Sequence, residues 1–125
     1  MPALEPVEGV RVVAAPTALD AARWQGEDVD VIRIAPDEAL AIGATGVQVD
    51  DAHAIVEPEA GFSVALLGGE IATLAAHTDW PIPTTSGAVA QGKVAGVPVK
   101  LRIGDPTLLV VQTAYADDLR GRLGW

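Results

Sequence analysis

Between Gly87 and Leu123 the apolar residues change period, and this change constrains the fold more than any other feature of the chain. Val97, Val99, Leu101 and Ile103 alternate with Pro98, Lys100 and Arg102, the period of two expected of a strand with one buried face. Val89, Lys93 and Val94 belong to a preceding strand. Ala95-Gly96 marks a hairpin turn between the two, and Gly104-Asp105-Pro106 marks a second turn, because Gly and Pro supply the backbone angles that turns require. After Leu108 to Val111 the period lengthens. Tyr115, Leu119 and Leu123 recur at helical spacing, with Asp117 and Asp118 early and Arg120 and Arg122 late, as the helix dipole favours. The segment predicts an antiparallel meander over 87–111, with Val97, Val99, Leu101 and Ile103 facing the core, closed by a helix from Tyr115 to Leu123.

The preceding residues extend this reading. Residues 1–8, with Pro2, Pro6 and two acids, predict an extended arm with little to bury, and residues 9–125 a single domain. Val10, Val12 and Val13 suggest a first strand. Pro16 to Asp20 suggests a helix start with Thr17 as N-cap, Gly26 as its stop and Trp24 on the helix as an apolar anchor. Val29 to Ile34 reads as a strand, Ala35 to Glu38 as a turn, and Ala39 to Ile42, Val47 to Val49 and Ala52 to Val56 as short strands. The expected class is α+β: mainly antiparallel strands with two or three helices on one face.

Three further stretches carry a family resemblance. They are the strand and short helix Phe62-Ser-Val-Ala-Leu-Leu-Gly-Gly-Glu-Ile-Ala-Thr-Leu-Ala-Ala, the connection His77-Thr-Asp-Trp-Pro-Ile-Pro, and Gly87-Ala-Val-Ala-Gln with the hairpin and helix that follow it. Together they resemble the gamma subunit of heterotetrameric sarcosine oxidase, a relative of the folate-binding domain of the glycine-cleavage aminomethyltransferase. The resemblance covers 62–123 firmly and 31–123 loosely. It implies large partner subunits that oxidise an N-methyl amine at a flavin and pass the one-carbon unit to tetrahydrofolate, with no cofactor held in this chain. Aminomethyl transfer in the relatives uses an essential aspartate in a cavity shared by several domains, and the iron–sulfur-assembly branch carries a Lys-Gly-Cys-Tyr motif. This chain has one domain's length and no cysteine, which points to an ancillary, non-catalytic subunit. A stand-alone module binding a folate-like or other small ligand is the alternative.

Composition sets limits on these readings. Without cysteine there are no disulfides, thiolate metal sites or cysteine nucleophile. No apolar run approaches the roughly 20 residues of a membrane helix, and the first residues lack the basic start of a signal peptide, so a cytoplasmic protein is expected. The net charge of −9 argues against nucleic acid. Residues 1–60 hold twelve acids and three bases, whereas 61–125 hold five of each, so the acidic excess lies in the first half. That half is either a solvated face or a surface for a basic partner.

Chemistry-bearing groups are sparse. Asp50, Asp51 and His53 form a local titratable cluster, too small for a metal site and better read as a turn. His77 and Asp79 lie near Thr84, Thr85 and Ser86, yet nucleophilic catalysis also needs oxyanion donors, and His77 is better read as ending a helix with Trp80 covering the core edge. Gly68-Gly69-Glu70 opens a helix after a strand, but Glu70 would repel a phosphate. No catalytic, metal or cofactor residue is therefore assigned. Trp80, beside Pro81 and Pro83, and Trp125, at an otherwise unsupported end, are the candidate contacts to a partner chain.

Overall fold

The computed structural model describes residues 2–125, and among these it forms nine strands and three helices, an α+β fold in which the strands pair antiparallel. Two compact units are present, Val7–Ala60 and Gly61–Trp125, the latter joined by residues 2–6. Residue 1 of the expected arm lies outside the described residues. The rest of that arm is not loose: Leu4 is 6% exposed within the core of the carboxy-terminal unit, and strand β1 (Glu5–Val13) already begins at Glu5.

In the amino-terminal unit, β1 leads to helix α1 (Pro16–Asp20), strand β2 (Arg23–Gln25), strands β3 (Asp30–Ala35) and β4 (Glu38–Ile42), and strand β5 (Gly46–Gln48). β4 lies between β1 and β3, with Val10 and Val31 both opposite Ala41, and Val12 and Arg33 both opposite Ala39. Val10, Val12, Ala14, Leu19, Ala39, Ala41 and Ala44 form the core of this unit. Its short side chains leave room for partly buried Trp24, Val47 and Val49 to pack on it.

Two expectations fail in this unit for local reasons. Pro16 takes the first helical position, where its fixed φ suits the helix and its missing N–H costs nothing. The N-cap is therefore Ala15 rather than Thr17, and no side chain caps the helix. α1 also ends at Asp20, before Gly26, and Trp24 sits on β2, paired with Val47 of β5. A helix of five residues ends four positions short of Trp24.

Strand β6 (Ile55–Leu67) runs across the boundary between the units. The strand expected at 52–56 is only its first two residues, because Ala52 and His53 form a turn. In the carboxy-terminal unit follow helix α2 (Ile71–Ala75), strands β7 (Val89–Val94), β8 (Val97–Arg102) and β9 (Thr107–Gln112), and helix α3 (Thr113–Leu123). The pairing order there is β6-β9-β8-β7, with Val64 opposite Val110, Lys100 opposite Val110, and Gln91 opposite Lys100.

The meander and its register are as expected. Val97, Val99, Leu101 and Ile103 are buried in one core with Val94, Leu109, Val111, Ala65 and Leu67, while Lys100 and Arg102 keep partial exposure. Residues 107–111 of β9 are buried on both faces, which is why their sequence does not alternate. α3 covers the core with Ala116, Leu119 and Leu123, not with Tyr115, which is 42% exposed. The helix also starts two residues before Tyr115, so Asp117 and Asp118 fall in its middle and miss the first turn. Arg120 and Arg122 do occupy the last turn.

Candidate functional site

The connection between α2 and β7 carries most of the polar side chains singled out in the carboxy-terminal unit. The His77 backbone N–H donates to Leu74 O at 2.8 Å, closing α2, and its carbonyl accepts from the Ala95 N–H of the β7–β8 turn at 2.8 Å. Two elements distant in sequence thus fix the backbone of His77. His77, Thr78, Asp79, Lys93 and Gly96 line an open cleft of about 430 Å³. The Thr78 hydroxyl is committed to the carbonyls of Ala75 and Trp80, both at 3.2 Å. His77 and Asp79 share the cleft, and no hydrogen bond joins them among the described contacts.

Trp80 packs against β7 at Gly92 and Lys93. Its indole N–H donates to Lys93 O at 2.9 Å, and an added Cβ at Gly92 would meet the ring at 2.5 to 2.8 Å. Glycine is therefore the residue that lets the ring reach the strand. Trp125 also packs on the core of this unit, with its backbone N–H donating to Arg120 O at 2.9 Å past the left-handed cap at Gly124. Both aromatic candidates are thus half-buried against their own unit, with only part of each ring exposed.

The remaining clusters are structural. Asp51 accepts the Ala15 N–H at 2.8 Å and the His53 N–H at 2.9 Å, which ties the start of α1 to the 50–54 turn. These donors, Ala15 first, hold its carboxyl below the ordinary value of 3.8. No group of three or more His, Cys, Asp or Glu side chains is placed to hold a metal among the described residues. Glu70 turns its carboxylate back to the Gly68 N–H at 2.9 Å, occupying the start of α2. Arg11 donates to Glu38 at 2.6 Å and lies 3.7 Å from Glu57; the Glu38 bond, before the nearby charges, raises its pKa.

An apolar groove of about 340 Å³ runs between α2 and the 82–84 and 103–107 turns, lined by Ile71, Ala72, Ala75, Ile82, Pro83 and Ile103 with two threonines. The Thr107 hydroxyl there is already used by both backbone groups of Gly104. Ile55 and Val56, 51% and 45% exposed, and Glu8 and Glu59, which line one cleft, carry no motif that singles them out in the sequence. Their signal was an apolar pair running straight into Glu57-Pro58-Glu59, a strand with nowhere to bury its side chains.

No helix among the described residues is long and apolar enough to cross a membrane. The sequence matches no family model, and no curated protein is significantly similar to it.

Proposed function

We propose that this chain is a non-catalytic small subunit of a multi-subunit, cytoplasmic N-methyl amine oxidase of the sarcosine oxidase type, in which larger flavoprotein partners hold flavin and tetrahydrofolate. The reading is supported by the order of elements in the carboxy-terminal unit. Strand, glycine turn, short helix, tryptophan- and proline-containing connection, hairpin, strand and closing helix follow one another along the residues that carry the resemblance.

The chemistry of the apolar groove agrees with placing the folate elsewhere. A pterin ring and its carboxylate tail need several polar partners, and this groove offers a single uncommitted hydroxyl, that of Thr84. The chain's own contribution is to brace: the His77 carbonyl and the Trp80 indole lock the connection onto β7, and the exposed parts of Trp80 and Trp125 face outward for a partner.

The test is co-expression with the chains that co-purify from the native host. The assembled complex should contain flavin and oxidise an N-methyl amine, and the pure chain should do neither. Turnover by the pure chain, abolished in His77→Ala, would sink the subunit reading. The groove itself favours a second reading, a stand-alone binder of a small apolar ligand, which calorimetry on the pure chain would reveal.

A further inference from the structure

The amino-terminal half of β6 has an unusual surface. Ile55 and Val56 are adjacent on a strand, so they project to opposite faces, and both are about half exposed. None of the residues from 55 to 60 is buried. The chain has thus left two β-branched aliphatic side chains in water at one place, where each has area to gain from being covered.

Beside them lies an open cleft of about 440 Å³ lined by Glu8, Gly9, Val10, Ala44, Thr45, Pro58, Glu59 and Ala60. The lining holds two carboxylates and no basic side chain. Pro58 to Ala60 are two to five residues beyond the apolar pair on the same strand, a separation of roughly 7 to 17 Å at the rise of a β-strand. The surrounding unit, Val7–Ala60, has eleven acidic against three basic residues, a balance of −8. Two of its three arginines are already engaged, Arg11 with Glu38 and Glu57, and Arg33 with Asp20.

From this juxtaposition we infer that Ile55 and Val56, with the Glu8–Glu59 cleft, form the docking surface for a partner protein that presents an apolar pocket flanked by a Lys or Arg side chain. The pocket straddles the strand, covering Ile55 on one face and Val56 on the other, and the cation enters the cleft between the carboxylates. Charge selects this occupant. A second copy carries the same net charge of −9, and anionic lipid or nucleic acid would be repelled by the same acids. Pro58 has no backbone N–H, which disfavours an added strand along this segment. The inference deepens the subunit reading and rests on it only for the partner's identity.

The test uses the full chain and the protein that co-purifies with it from the native host, identified by mass spectrometry, purified, and titrated against three variants. Ile55→Thr/Val56→Thr keeps β-branched side chains and Glu8→Gln/Glu59→Gln removes the charges, while Leu66→Ser changes an exposed aliphatic residue of the other unit and serves as control. Circular dichroism and melting should show all three folded. Each double variant should weaken binding about tenfold or more, with Leu66→Ser within about twofold, and added salt should weaken the wild type more than the glutamine variant.

If the purified partner is a flavoprotein and binds both double variants as it binds wild type, the docking surface is wrong and the subunit reading stands. If a basic partner without flavin is lost from both double variants, the surface stands and the sarcosine oxidase reading falls. If nothing co-purifies with the wild type, both fail. If the wild type dimerises and Ile55→Thr/Val56→Thr is monomeric, the patch belongs to a second copy and the inference is overturned.

Discussion

At the scale of single residues, the contact between Trp80 and Gly92 yields the sharpest prediction. Gly92→Ala would place a methyl group inside contact distance of the indole, so the ring must lift and its bond to Lys93 O must break. Denaturant unfolding should show a loss of about 1 to 3 kcal/mol, the usual scale of overpacking. Trp80→Phe, which removes the N–H donor, should lose less. The sequence disclosed Trp80 as a cover for the core edge, yet not its partner, because a glycine carries no pattern that marks it as a landing site. Asp51 gives a pH-dependent test. Its carboxyl is held below its ordinary value, so its contribution is present above about pH 4 and fades as pH falls toward the folded value. Asp51→Ala should therefore lower the melting temperature at pH 7, with the gap to wild type closing below about pH 4. A gap that is the same at pH 3 and pH 7 would show that the carboxylate charge plays no part.

At the scale of elements, the β7–β8 hairpin turns through two residues with positive φ, Ala95 at 50° and Gly96 at 82°. Gly96→Ala places a side chain in the left-handed region and 2.9 Å from the Arg122 guanidinium, which bonds Ala95 O at 2.7 Å. A loss of about 1 to 2 kcal/mol is expected in thermal or denaturant unfolding. Hydrogen exchange should be slowest in β9, which is paired on both sides and buried on both faces. The meander was legible in the sequence because its turn residues agreed with the alternation over 97–103. α1 and the start of α3 were not. A proline at the first helical turn shifted one cap, and Thr113 extended the other helix toward β9, so register moved by a residue or two where no alternation fixed it. The exposed half of β6 escaped notice for a related reason, since alternation identifies a strand but not whether either face is covered.

At the scale of the whole chain, charge and aromatic placement govern behaviour. With eleven acids against three bases in Val7–Ala60, repulsion within that unit should be relieved by screening, and a melt at about 0.3 M salt should exceed one at low salt. A melting temperature that falls with salt would mean that the pairs made by Arg11 and Arg33 outweigh the repulsion. Removing Gly124 and Trp125 strips a half-buried ring from the carboxy-terminal core, and should cost that unit about 1 to 2 kcal/mol while leaving it folded. The three tryptophans are also divided between the units, Trp24 in one and Trp80 and Trp125 in the other, each partly buried against its own core. The emission spectrum therefore contains two separable records of unfolding: with Trp80 and Trp125 changed to phenylalanine, the light that remains comes from the acidic unit alone, and its melting curve can be laid against that of the Trp24→Phe protein to ask whether the two units lose their structure together.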